Sequence, residues 1–265
     1  MPTWTHFYLI RIQFLGLHYH GWQKQSNLPS IHGAIDNTLE VILKSAPFKT
    51  LGCSRTDAKV SAEDYVLELF VKNALIPEQL LHQLNKHLPS DISARAVEPV
   101  HEGFNIIQSA RTKEYHYYFS FGKKPHPFSS PLMHHIRQEL NVERMKLAAG
   151  KFEGNHNFRQ YTQKPSAEVQ LQREILTAHI MPNKYLTSSF IAEDSYAFVV
   201  KSSGFLRYQV RMMMSALFEI GRGAWSIEDL VNSLSGNTIS RVMHVAPPVG
   251  LVLHQVTLDA YKDKV

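Results

Sequence analysis

The chain has 265 residues, 44% of them hydrophobic and 19% charged, which supports a packed core and excludes a disordered chain or a coiled coil. Its one cysteine, Cys53, excludes an intramolecular disulfide framework and any multi-cysteine metal site. A formal net charge of +5, with 15 histidines besides and a pI near 9.2, suits a polyanionic partner. In chain order, His6 to Phe14 alternates Tyr8, Ile10, Ile12 and Phe14 on one side, the period of a strand. A polar and aromatic loop follows. Ser30 then stands as a helix N-cap, with Ile31, Ile35, Leu39 and Ile42 at helical spacing behind it. The turn-rich stretch Gly52 to Asp57 leads to a strand predicted over Tyr65–Lys72. Pro77 suits the first position of a helix running through Leu84, and Ile92 to Val97 alternates again.

The second half repeats the mixture. Lys113–Phe121 is predicted as an aromatic strand, Lys123–Pro131 as a proline-rich loop, and Val142–Ala149 as a short helix stopped by Gly150. Ile175–Ile180 and Tyr196–Lys201 read as strands. Phe205–Ile220 is the longest helical pattern, ended by Gly221 and Gly223. Ser226 caps a helix over Ile227–Leu234, and Leu251–Leu258 is the last strand. The pattern is α+β. Element order divides the chain into an N-terminal α/β domain, residues 1–104, and a C-terminal one, residues 105–265. No stretch approaches the roughly 18 apolar residues of a membrane span. The first residues lack a basic, cleavable leader, so the expectation is a soluble protein of the reducing cytoplasm.

The histidine pairs His18/His20 and His134/His135 come without an HExxH motif, so solvated or packed histidines are favoured over a metal site. Neither a dinucleotide nor a P-loop glycine motif occurs, and no cofactor is expected. Three segments hold chemistry. Gly52-Cys53-Ser54-Arg55-Thr56-Asp57-Ala58 puts a carboxylate in a loop, with Arg55 two residues before it. By itself this reads as well as an Asx-turn with a surface arginine. Arg207 and Arg211 share a helix face, which is either a solvated basic face or one meeting anions. Tyr115-His116-Tyr117-Tyr118-Phe119, followed by Lys123, Lys124, His126 and Phe128, suits stacking on unpaired bases, although a sheet core gives much of the same pattern.

Taken together, these segments resemble the tRNA pseudouridine synthase A (TruA) family. Tyr19-His20-Gly21-Trp22-Gln23-Lys24-Gln25 is similar to the family's YxGWQ block, and Gly52 to Ala58 to its GRTDAGVH block. Asn85 to Ile92 resembles NxxLPxDI, and Ser109-Ala110 with Lys113-Glu114-Tyr115-His116-Tyr117 resembles SAxxKxYxY. Phe152 to Phe158 resembles GxHDF, and Gly204 to Met213 the FLxxMVR block. Glu219 to Gly223 and Pro247 to Leu253 complete the set, in order along nearly the whole chain.

The resemblance implies two ferredoxin-like α/β domains sharing a central, mostly antiparallel sheet, with the catalytic cleft between them. It implies isomerisation of uridine to pseudouridine in the anticodon stem-loop of tRNA, by a homodimer without a cofactor. Residue by residue, Asp57 matches the nucleophile, and Tyr115 matches the tyrosine that stacks on the target uracil and handles the proton at C5. Arg211 matches the arginine that pairs with the carboxylate, and Arg55 the arginine that fills the space left by the flipped base. Phe104 matches the first residue of the family's FHAR block and is taken as substrate-binding, while the arginine of that block, expected to touch RNA, is missing here. Three blocks depart from the pattern: Lys59 and Ser61 flank Val60, Asn105-Ile106-Ile107 follows Phe104, and Asn157 replaces an acid. A non-catalytic RNA-binding protein of the same fold is the alternative. A carboxylate-dependent hydrolase would need a second acid near Asp57, and only Glu63 and Asp64 lie close in sequence.

Overall fold

The computed structural model describes residues 4–166, 168–236 and 244–259. They form a mixed α+β fold whose strand pairs are antiparallel with one exception among those described. The chain groups into two compact units, residues 1–111 with 253–265, and residues 112–252. A linear cut at 104/105, drawn from element order, does not anticipate that the last segment returns to the first unit. No helix among the described residues is long and apolar enough to cross a membrane.

The first unit contains strands β1 (His6–Phe14), β2 (Phe48–Gly52), β3 (Ser61–Val71) and β4 (Ile92–Val100). Its helices are α1 (Ile31–Ile42), α2 (Pro77–His87) and the single turn α3 (Ile106–Ser109). β1 lies between β3 and β4, antiparallel to both, so that Ile10 sits opposite Leu67 on one side and Val97 on the other. The alternating residues Tyr8, Ile10, Ile12 and Phe14 are buried as their period requires, but Leu9 on the opposite face is buried too. β3 buries Tyr65 to Leu69 without a break. Strands covered on both faces lose the polar alternation of a one-sided sheet. β2 was not legible in sequence: its five residues carry no alternation, and it is a strand because it pairs with β3. The helix starts are local devices. Ser30 Oγ accepts the Gly33 N–H at 3.2 Å, and Pro77 opens α2 where a missing N–H costs nothing.

The second unit carries β5 (Ala110–Phe121), β6 (His134–Ile136), α4 (Val142–Ala149), β7 (Gly154–Asn157), β8 (Gln172–Pro182), β9 (Ser195–Ser202), α5 (Gln209–Gly221) and α6 (Ile227–Ser233). The last strand, β10, is Leu251–Leu258. β5 pairs with β9, β9 with β8 and β8 with β7, all antiparallel, while β6 runs parallel to β5. α5 buries Val210, Met212, Met213, Ala216, Leu217 and Ile220. α4 packs on it closely: the Asn141 N–H donates to the Gly221 carbonyl at 2.9 Å, and a Cβ on Gly221 would fall 2.6 Å from Met145 Sδ. A ring cluster of Phe152, Phe158, Tyr161 and Phe198 fills the core, and the Tyr161 hydroxyl bonds Ser233 Oγ at 2.6 Å. The helix expected from Phe205 begins four residues later, at Gln209. Its buried side-chain oxygen accepts the Leu206 N–H at 2.7 Å, and Tyr208 takes a left-handed conformation, so the residues between leave the helical path.

Glu68 is a charged type inside the β3 core and is fully buried. One carboxylate oxygen accepts the Ile106 N–H at the start of α3, at 3.1 Å, and the other has no hydrogen-bond partner among the described residues. Burial pushes its carboxyl above the usual range, against the pull of the Ile106 N–H and the Lys49 charge. The folded chain therefore holds this proton more tightly than the unfolded chain. The resulting stability is present at low pH and is lost as pH rises from the unfolded value, about 4.3, through the folded one. Glu68→Gln should be more stable than wild type near neutral pH by about 1 kcal/mol, with the gain shrinking towards pH ~4. Urea midpoints measured across that range check both the sign and the slope.

Candidate active site

Asp57 lies in the loop between β2 and β3. Its carbonyl accepts the Val60 N–H at 3.2 Å, closing a turn in which Lys59 has φ +64°. A lysine there pays for a left-handed backbone that a glycine adopts freely. Three residues from two other segments hold this loop. The Lys59 N–H donates to the Tyr19 carbonyl at 3.0 Å, and the Trp22 N–H donates to the Thr56 carbonyl at 3.2 Å. The Tyr65 hydroxyl, from β3, donates to the Ser54 carbonyl. The loop's irregular backbone thus finds its partners in side chains and neighbouring loops rather than in a ladder. Asp57 is half-buried, Thr56 is buried and Arg55 is exposed.

The two residues that brace the loop are themselves stacked. The Trp22 ring lies on Tyr65 with centroids 4.1 Å apart and planes at 25°. His32 lies on Trp22 at 5.0 Å and 13°. Gly52 passes so close that a Cβ would fall 2.2 Å from the Tyr65 hydroxyl. Burial lowers the His32 pKa against the attraction of Asp36, favouring a neutral ring. The Thr50 hydroxyl donates to Asp36 at 2.6 Å, so His32 Nε2, 2.7 Å from the same hydroxyl oxygen, is the donor in that contact. Lys24 pairs with Asp36 at the outer end.

Tyr115 and Arg211 belong to the second unit. On β5 the side chains alternate, with Tyr115, Tyr117 and Phe119 on one face. Tyr115 is buried and meets Phe205 edge-on at 5.4 Å and 88°. The Tyr117 hydroxyl donates to the Pro247 carbonyl at 2.8 Å, and burial raises its pKa well above the usual phenol value despite the opposing Arg211 charge. Arg211 sits in the first turn of α5. Its Nε donates to the Ala246 carbonyl at 2.7 Å, and the Ala246 N–H returns a bond to the Arg211 carbonyl at 3.3 Å. Its guanidinium carbon lies 5.1 Å from the centre of the Tyr208 ring. The Tyr115–Phe205 contact sets the segment before α5 against β5.

Phe104 is buried, edge-on to His101 at 6.4 Å. The next residue, Asn105, caps α3 by accepting the Ile107 and Gln108 N–H groups at 3.0 and 3.2 Å. Ile107 is largely exposed. Asn157 Oδ1 accepts the Arg159 N–H at 3.0 Å, a bond a carboxylate oxygen would also accept. Of the expected site residues, Asp57, Arg55 and Phe104 lie in the first unit, and Tyr115 and Arg211 in the second. The bracing by Trp22 and Tyr65 was not read from sequence. Trp22 stood inside a recognised block, whereas Tyr65 read only as a strand residue.

Gly21 has φ +91°, and a Cβ there would meet the Thr56 carbonyl oxygen at 2.5 Å. Gly21→Ala should destabilise the protein by about 2–3 kcal/mol through combined backbone strain and overlap. A shift of the urea midpoint at unchanged slope is the corresponding measurement.

A family model described as tRNA pseudouridine synthase matches residues 148–259. A protein named tRNA pseudouridine synthase A from Aquifex aeolicus (strain VF5) is 34% identical over 95% of this chain and 99% of its own length. One of that name from Clostridium botulinum (strain Alaska E43 / Type E3) is 34% identical over 92% of this chain and 96% of its own. The tRNA pseudouridine synthase A 1 of Protochlamydia amoebophila (strain UWE25) is 31% identical over 95% and 96%. Among solved structures, a chain of a Cbf5-Nop10-Gar1 complex aligns with a TM-score of 0.38 and 12% identity, over 93% of this chain and 48% of that one. Identity at this level over almost the full length of the named relatives establishes that the chain belongs to the tRNA pseudouridine synthase A family.

Proposed function

We propose that the protein isomerises uridine to pseudouridine in the anticodon stem-loop of tRNA, with Asp57 as the nucleophile and without a cofactor. The observation that supports this most is the loop from Cys53 to Val60. Its backbone is tied at Ser54, Thr56 and Lys59, and it carries a half-buried carboxylate beside an exposed arginine. The reaction breaks the N1–C1′ glycosidic bond and joins C1′ to C5. No group is imported and nothing is oxidised.

Asp57 must be ionised to attack C1′ or to assist departure of the uracil. Arg211 serves as the cation that keeps it so, and its anchored Nε suits a group that must hold its direction. The uracil leaves with the N1–C1′ electron pair, turns, and attacks C1′ through C5, displacing the Asp57 carboxylate with its electron pair where that has bonded to C1′. The proton then displaced from C5 is lost as N1 gains one. Tyr115 presents an aromatic face to the turning base, with a hydroxyl to move the proton. Flipping the target base out of its stack costs a few kcal/mol, which phosphate contacts and the exposed Arg55 offset. Phe104 supports the RNA contact from its buried position. On the family resemblance we also assign a homodimer in the cytoplasm.

Asp57→Asn should reduce pseudouridine formation by about 1000-fold or more, while the Kd for unmodified tRNA stays within about threefold. Mass-spectrometric mapping of the modified tRNA and a filter-binding titration measure the two effects. Turnover by the Asn variant would remove Asp57 from the chemistry. A wild type that binds tRNA and forms no pseudouridine would select the non-catalytic RNA-binding reading.

A further inference from the structure

We propose that Tyr208 is a positioning residue for Arg211, holding its guanidinium by the face of the phenol ring. The inference rests on the role proposed above for Arg211. Arg207 lies two residues before α5 and Arg211 in its first turn, and their like charges, both close to one ring, repel each other. One ring meets both. The guanidinium carbon of Arg207 lies 4.8 Å from the Tyr208 ring centre, and that of Arg211 lies 5.1 Å from it. Arg207 Nη2 also donates to the Tyr208 hydroxyl at 3.0 Å. A cation over an aromatic face is attracted by the ring quadrupole. The ring thus offsets the repulsion between the two arginines.

The backbone makes the choice of residue informative. Tyr208 precedes α5 with φ +64° and ψ 2°, in the left-handed region. A bulky side chain is an outlier there, whereas asparagine or glycine fits with less strain. Tyrosine therefore costs stability at this position and supplies something those residues lack, a π face. With Nε bonded to the Ala246 carbonyl and the guanidinium set against the ring, the Arg211 fork has a defined direction. A forked cation is useful only in the right direction, so a loosened Arg211 weakens contacts made at the transition state more than it weakens RNA binding.

Tyr208→Asn and Tyr208→Phe separate this role from a structural one. Asparagine relieves the backbone and removes the ring. It should leave the melting temperature equal or higher, leave KM for tRNA within about twofold, and lower kcat about tenfold. Phenylalanine keeps the ring and should keep kcat within about twofold of wild type. The Arg211 Nε–H resonance, shifted by the ring current in wild type and in Tyr208→Phe, should move in Tyr208→Asn. Wild-type kcat in Tyr208→Asn, or an Arg211 resonance that does not move, overturns the proposal. So does a parallel loss of melting temperature and kcat, which marks a structural residue only. A wild type that forms no pseudouridine defeats the functional reading instead. The Arg211 resonance then decides by itself, supporting the positioning if it moves and overturning it if it does not.

Discussion

The loop that carries Asp57 depends on backbone hydrogen bonds made to other segments of the chain. The loop joining β2 to β3 is neither helix nor ladder, yet Thr56 and Val60 within it are buried. Buried backbone groups need partners. Here they come from Tyr19 and Trp22 in one preceding loop and from Tyr65 on the following strand. The stack His32–Trp22–Tyr65 gives those partners rigidity, because each ring restricts the next. Orientation arranged before substrate arrives does not have to be organised during the reaction. The strained Lys59 and the close passes at Gly21 and Gly52 follow from the same packing.

The second unit uses a comparable device with different atoms. The segment preceding β10 is bound to β5 and to α5: Tyr117 donates to Pro247, Arg211 to Ala246, and the Tyr118 N–H to Gly250. Gly250 has φ +97°, and a Cβ there would fall 2.5 Å from the Tyr118 carbonyl oxygen. Arg211 is thereby tied through its Nε. In the first unit Asp57 lies on an irregular loop, whereas in the second Tyr115 lies on β5 and Arg211 in the first turn of α5.

Much of the fold was legible because its signals are local. Ser30 with Ile31, Ile35 and Leu39 specified α1, and Ser226 with Asp229 forms the capping box of α6. Val142–Ala149 and Leu251–Leu258 occupy the residues expected. The missed strands share one cause. β2, β6 and β7 have five, three and four residues, too few to show a period, and exist through pairing with longer strands. The late start of α5 depends on a buried glutamine side chain bonding three residues back, which periodicity cannot register. At the site, the Arg55–Asp57 loop was identifiable from its motif. Its support by Tyr65 was not, because a tyrosine in a strand looks the same whether or not its hydroxyl caps a loop.

By itself the sequence determined the α+β class and the family, and singled out Asp57, Tyr115 and Arg211 as candidate side chains, because each is written in residue type and short spacing. Only the tertiary structure decided how those side chains are held. Trp22 meets Thr56, Tyr65 meets Ser54 and Arg211 meets Ala246 across separations that no local pattern spans. Arg207 and Arg211 are neighbours of Tyr208 in sequence, but that both turn over its ring is seen only in the folded structure. Hydrogen bonds and ring contacts between distant segments form when the whole chain packs, and their geometry belongs to that packing.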